Sequence, residues 1–197
     1  MPVARANPPR AWQRMLSGRR LDLLDPSPLD IEIDDIARGL ARVARWNGQT
    51  TGAHAFSVAQ HCLLVETLTA ECARVSREGS LAALLHDAPE YVVGDLISPF
   101  KTAVGIDYKD FETRLLAAIH IRFGLPPRLA PELSAAIKRA DMLAACFEAT
   151  QLAGFGATEA RRFFGSPPKA LKTPKLKPLP AAEAQSRYLA RFHQLCG

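Results

Sequence analysis

Apolar residues recur along this chain with a helical period, and clusters of turn-forming residues divide that pattern into segments. After the turn chemistry of DPSP, Ile36, Leu40 and Val43 follow at helical spacing, with Asp34 as the candidate N-cap of a first main helix. Between positions 55 and 74, Val58, Leu64, Val65 and Leu68 recur compatibly with one helix, no Pro or Gly intervenes, and His61 lies on their face. A further helix is predicted from about Ser80 through LAALLHDA, with Pro89 opposing its continuation. The run YVVGDLISPFKTAVG mixes Gly, Pro and Asp as a site-lining loop does, and DYKDFETRLLAAIHIRFG then resumes the helical period up to the punctuation at Pro126 and Pro127.

Residues 131 to about 152 place Ile137, Ala140, Asp141, Ala144, Ala145 and Glu148 at related positions of a long helix, and ATEARRFF reads as a short one. The Pro- and Lys-rich GSPPKALKTPKLKPLP predicts an extended connector, followed by a final amphipathic helix in AAEAQSRYLARFHQL. The first twenty residues carry turn and charge signals with little periodicity, although Trp12 and Met15 can anchor against the body. No apolar run alternates between hairpin turns, so the expected class is all-α. The expected organisation is an N-terminal extension over 1–29, a helical domain over 30–165, a connector over 166–180 and a C-terminal helix over 181–197. That last helix packs either on its own domain or on a partner, which leaves a homodimer open.

A chain of 197 residues suits one well-buried domain. No stretch reaches the roughly 18 uninterrupted apolar residues of a membrane span, and the N-terminus lacks a signal-peptide core, so a soluble cytoplasmic protein with no membrane partner is expected. The cysteines Cys62, Cys72, Cys146 and Cys196 form no C-x-x-C pair and read as reduced thiols. The formal charge of +5 sits at the ends: residues 1–20 hold five Arg and residues 166–180 four Lys, with no acid in either stretch. Subtracting these nine from 25 bases leaves 16 against 20 acids, so the body is mildly acidic. Solvated, mobile basic ends are the favoured explanation, and nucleic-acid binding is not expected.

The polar residues that break apolar faces carry the candidate chemistry. His86 and Asp87 end the apolar run LAALL, where buried polar side chains need a partner. His61 and Asp141, on two other predicted helices, complete a possible His-His-Asp-Asp set. Imidazole and carboxylate ligands suit a divalent metal ion with solvent positions left open, which implies catalysis rather than a closed structural site. Such an ion lowers the pKa of bound water and polarises a phosphoryl oxygen, so hydrolysis of a phosphate ester fits. Taken singly, each of these residues has a plainer role: His61 as a core histidine, or Asp141 as an ion-pair partner of Lys138 or Arg139.

The order His61, His86-Asp87, Asp141 resembles the HD-domain metal-dependent phosphohydrolases. RWNGQT, SVAQH, LLHDAPEYVVGDLISPFK and IKRADMLAA are similar to the branch of bacterial 5'-deoxynucleotidases of the YfbR type, over roughly residues 30–152. The resemblance implies an HD-domain helical bundle in which His61, His86, Asp87 and Asp141 ligate one divalent ion, with Mn, Co, Mg, Ni, Fe and Zn all open. It implies catalytic roles for Glu90, which would orient or deprotonate the attacking water, and Asp95, which would contact the nucleophile or the substrate sugar. Arg45, Lys101 and His54 are the implied phosphate contacts and Trp46 the surface for sugar or base. His54 joins the site only if its helix begins early enough for it to share a face with His61. The implied partner is a small phosphorylated substrate, a deoxynucleoside 5'-monophosphate. Two features depart from that pattern: Gln60 stands where some relatives carry an acid, and the loop from Arg45 to His61 differs in length and composition. The chain is also similar to phage-type HD hydrolases that remove triphosphate, so a deoxynucleoside triphosphohydrolase is the alternative. A non-catalytic metal- or nucleotide-binding helical module is the second alternative.

Overall fold

The computed structural model describes residues 11–96 and 109–197. Helices dominate them: α1 (Ile33–Leu40), α2 (Val58–Ala73), α3 (Arg77–Leu84), α4 (Glu90–Val93), α5 (Lys109–Arg122), α6 (Pro131–Gln151), α7 (Ala157–Phe164) and α8 (Ala181–Cys196). No helix among the described residues is long and apolar enough to cross a membrane. The cysteines are free thiols, Cys62 and Cys146 buried and Cys72 and Cys196 exposed.

The central element is α2, which packs against α3, α6 and α8. Ser57 caps it, its hydroxyl accepting from the Gln60 N–H at 3.4 Å, so the helix starts three residues later than position 55. Val58, Leu64, Val65 and Leu68 are buried on it, as the apolar spacing requires. Helix α1 begins at Ile33, with Glu32 rather than Asp34 at the N-cap position. Asp34 and Asp35 instead fall in the first turn, where carboxylates complement the helix dipole. The α1–α4 contact depends on Gly39, where an added Cβ would lie 2.7 Å from the Tyr91 Cβ.

Three further local features differ from expectation. First, the N-terminus is not without regular structure: β1 (Trp12–Arg14) and β2 (Arg20–Asp22) pair antiparallel with Gln13 opposite Leu21. Strands of three residues are too short to show alternation, yet Met15 and Leu21 join Ile31 in the same core as the helices. Second, α3 stops at Leu84, before the Pro89 position, because tight turns take over: the His86 N–H donates to the Ala83 carbonyl and the Ala88 N–H to that of Leu85. Pro89 directly precedes α4, where its missing N–H costs no helical bond.

Third, the Pro/Lys connector is extended but not a free solvated tail. The Gln60 amide donates to the Lys177 carbonyl at 2.9 Å and accepts from the Leu179 N–H at 3.0 Å. Gln151 repeats the arrangement, donating to the Pro174 carbonyl at 2.9 Å and accepting from the Leu176 N–H at 3.1 Å. A primary amide carries donor and acceptor side by side, so each glutamine satisfies an extended backbone as a neighbouring strand would. Beyond the connector, α8 docks on its own chain: Ala184, Tyr188, Phe192 and Leu195 are buried, and the Tyr188 hydroxyl donates to the Leu84 carbonyl at 3.1 Å. Arg191 binds both carboxylate oxygens of the buried Glu66, at 2.7 and 3.0 Å.

Candidate metal centre

Three elements bring the candidate ligands together: α2 supplies His61, the α3–α4 turn His86 and Asp87, and α6 Asp141. His61, His86 and Asp141 each offer an atom within 4.8 Å of the others. Asp87 joins them through Oδ2, which lies 3.4 Å from the His61 Nε2 and 3.0 Å from the His86 Nε2. Asp141 Oδ1 is 3.4 Å from the same His61 nitrogen. Side-chain exposure rises from 0% at His61 to 11% at His86, 21% at Asp141 and 26% at Asp87, so the cluster is closed beneath His61 and open beside the carboxylates.

The outward nitrogens fix the tautomers. His61 Nδ1 stands 2.6 Å from the Glu148 carboxylate and His86 Nδ1 stands 2.9 Å from the Ala83 carbonyl, both acceptors, so each Nδ1 carries the proton and donates. Both Nε2 atoms then face the cluster, buried and without an aligned hydrogen-bond partner among the described residues. Close approach to Asp87 without bonding geometry is what convergent ligands show around a cation, and a histidine backed by a carboxylate is a recurring support for a metal ligand. The donor set, two imidazoles and two carboxylates with no thiolate, fits one divalent first-row ion or magnesium.

The electrostatics point the same way. At His61, burial and Arg45 oppose positive charge, but Glu148, Asp141 and Asp87 outweigh them and raise its pKa well above the ordinary value. At His86, burial is likewise outweighed, chiefly by Asp87, and the pKa rises to about 10. The two histidines in turn outweigh burial at Asp87 and Asp141 and hold both carboxyls below the usual range. The pocket thus favours positive charge at its centre, whether as a proton on each Nε2 or as a cation that takes the protons' place.

Glu90, the first residue of α4, is 7% exposed, and its Oε2 has no partner among the described residues. Burial, then Asp87 and Asp95, push its carboxyl up to about 9. Asp95 is held by Arg45, whose Nη1 donates to Asp95 Oδ2 at 2.9 Å, while Arg45 Nε donates to Glu148 Oε2 at 3.2 Å. Trp46 donates its indole N–H to the same Glu148 oxygen at 2.9 Å, and its ring packs on Phe155 and Phe164. Arg45 and Trp46 thus have partners within the protein: the guanidinium neutralises Asp95 and Glu148 through Nη1 and Nε, and the indole N–H is bound to Glu148. His54 is exposed in a bend before α2 begins and does not share the His61 face. Lys101 lies outside the described residues.

Glu148 is the site residue that motif spacing does not single out. It is fully buried and ties His61, Arg45 and Trp46 together, and it lies seven positions, two helical turns, beyond Asp141 on α6. Gln60, adjacent to His61, is turned to the connector instead of the cluster. The cluster opens on two clefts of about 270 and 250 Å³ that share His86, Asp87 and Leu116.

Fold and site together define a mostly helical protein with a buried histidine–carboxylate cluster able to hold a metal ion. The chain belongs to the family of the uncharacterized protein RCAP_rcc00048 of Rhodobacter capsulatus, with which it shares 56% identity over 188 residues, covering 94% of this chain and 96% of that one. It is also similar to the uncharacterized protein YfdR of Escherichia coli, 37% identical over 114 residues, or 58% of this chain and 57% of that one. No family model matches the sequence.

Proposed function

We propose that the protein is an HD-type metal-dependent phosphohydrolase acting on a deoxynucleoside 5'-monophosphate. The observation that carries this reading is the convergence of His61, His86, Asp87 and Asp141 with both histidine Nε2 atoms turned inward and unpaired. A divalent ion bound there would supply Lewis acidity toward a phosphoryl oxygen and acidify a water. Glu148 keeps the His61 Nε2 lone pair directed at the site. Glu90 carries an unpaired carboxyl oxygen beside Asp87, in place to orient the attacking water, and a divalent ion bound next to it would draw its raised pKa back down toward the ionised form that accepts a proton. Arg45 holds Asp95 and Glu148 in register and balances their charge. Asp87 and Asp141 are the more exposed ligands, so a phosphate ester approaches from their side.

The test is a hydrolysis panel of deoxynucleoside mono- and triphosphates and sugar phosphates, run with Mn, Co, Mg, Ni and Zn, with products identified. Orthophosphate released from the monophosphates is expected. Tripolyphosphate from the triphosphates would transfer the assignment to a triphosphohydrolase, and no turnover with any metal would leave a binding module.

A further inference from the structure

The connector is strapped to the body, and this gives its basic charge a fixed place. Gln60 and Gln151 hold its backbone between Pro174 and Leu179, Pro178 lies against the loop at Gly52, and Leu171 and Leu176 pack on the core. Its lysines face away: Lys169, Lys172, Lys175 and Lys177 are exposed, the last three in a row along about 15 Å of extended chain. Helix α7, which packs on α6, adds the exposed Arg161 and Arg162, and Gln151, which grips the strap, is the last residue of α6.

These six bases stand almost unopposed. Between Glu148 and Glu183 the sole acid is Glu159, and the loop over 46–57 that borders Pro178 has none. None of the six pairs with a carboxylate among the described residues, and Arg162 meets only the ring of Phe163, at 6.0 Å. Like charges held in a row repel one another, and a mobile tail would relieve that repulsion by spreading. The two glutamines prevent this, so an anion laid along the row offsets the cost.

The shape of the surface selects the anion. Phe163 is 57% exposed beside the arginines, its ring set edge-on to Phe155 at 6.4 Å. The strap turns its leucines inward and its lysines outward, so it offers no apolar wedge to a lipid surface. None of these residues lines either cleft at the metal cluster, and Gln151 lies ten residues beyond Asp141, about 15 Å along α6.

We propose that the strap and the end of α7 form a docking surface for single-stranded nucleic acid, the lysines and arginines tracking its phosphates and Phe163 stacking on a base. A basic track beside an exposed aromatic ring is how single strands are held without sequence preference. The surface is separate from the metal centre and independent of the phosphohydrolase reading.

The experiment uses the full chain and follows the fluorescence anisotropy of a labelled oligothymidylate of about 16 nucleotides, between about 50 and 200 mM salt. Wild type is expected to bind it, with an affinity that falls steeply as salt rises. The combined variant Lys172→Gln, Lys175→Gln, Lys177→Gln keeps the backbone bonds to Gln60 and Gln151, so its Tm stays near wild type. It is expected to bind at least about 10-fold more weakly, with the salt slope reduced by about 2, the value for three lost phosphate contacts on a single strand. Phe163→Ala is expected to weaken binding about 10-fold with the slope unchanged. Removing three exposed bases elsewhere, by Arg14→Gln, Arg20→Gln and Arg38→Gln, leaves the affinity close to wild type. No binding by wild type, equal affinity in the lysine variant, or an equal loss in the arginine variant overturns the proposal. A duplex of the same length bound as tightly as the single strand, or unchanged affinity in Phe163→Ala, overturns the stacking and with it the assignment to single strands. Binding to phosphatidylserine vesicles without binding to the oligonucleotide overturns it in favour of a lipid surface.

Discussion

His61 Nδ1 lies 2.6 Å from Glu148 Oε1 at the buried end of the metal cluster, while Glu148 Oε2 accepts from both Arg45 and Trp46. One carboxylate therefore holds the Nδ1 proton of a candidate ligand and anchors the segment that carries Arg45. Glu148→Gln keeps the volume but removes the charge, and is expected to lower metal affinity about 10- to 100-fold while the chain stays folded. Glu148→Ala also leaves the Arg45 guanidinium, 13% exposed, with Asp95 as its remaining carboxylate partner and removes the acceptor of His61 and Trp46, and is expected to cost about 3 kcal/mol of stability. Competition titration with a metal indicator and thermal melts check both, and equal metal affinity in Glu148→Gln would remove Glu148 from the site.

Gln60 fastens the connector through two hydrogen bonds to its backbone. Gln60→Glu keeps an acceptor for the Leu179 N–H but turns a carboxylate on the Lys177 carbonyl. It is expected to cost roughly 1–3 kcal/mol and to speed amide exchange across residues 174–180, with metal content unchanged. Hydrogen exchange read by mass spectrometry reports this directly, and unaltered protection at Leu179 would show that the connector is held by its apolar contacts alone.

Gly39 lets α1 approach α4, the helix that presents Glu90. The Cβ of Gly39→Ala would stand 2.7 Å from the Tyr91 Cβ and 2.9 Å from its carbonyl oxygen, and neither can move without shifting α4. A loss of about 1–3 kcal/mol is expected, together with reduced turnover from the displaced Glu90. A stabilised variant in thermal denaturation would show that the helices separate at no cost.

Glu32 joins the N-terminal hairpin to α5 by accepting from Arg19 at 2.6 Å and Arg122 at 3.1 Å. The Arg19 hydrogen bond, against opposing burial and together with Arg122, holds the Glu32 carboxyl below the usual carboxylate range. A lowered folded-state pKa stabilises the fold above the unfolded carboxyl pKa, and that contribution disappears as pH falls through the lowered value. Glu32→Gln should therefore lower Tm slightly at pH 7 and not at all near pH 2, since the pair is partly solvent-screened. An equal effect at both values would assign Glu32 a packing role instead.

The candidate ligands are legible in the sequence for a physical reason: His61, His86 and Asp141 interrupt apolar or small-residue faces, where an unpaired polar group is costly. The helical period marked α2, α6 and α8 because each buries a continuous stripe. The hairpin leaves no alternating pattern in the sequence, since its strands are three residues long and Leu21 and Met15, one per arm, are its buried core residues. Glu148 was visible on the Asp141 face but not as a site residue, because its partners Arg45 and Trp46 lie 103 and 102 positions away. Similarly, a Pro/Lys stretch reads as solvated until two glutamines from other helices are found along it.

The central claim is that His61, His86, Asp87 and Asp141 form one metal site that serves phosphate-ester hydrolysis. Its most direct test is the initial rate of orthophosphate release from deoxynucleoside monophosphates by Co- or Mn-loaded wild type and Asp87→Ala, with metal content and circular dichroism followed alongside. The account predicts metal-dependent release by wild type, abolished by chelation, and background release by a folded Asp87→Ala with reduced metal content. Full activity in Asp87→Ala, or equal activity in chelated and loaded wild type, would contradict it.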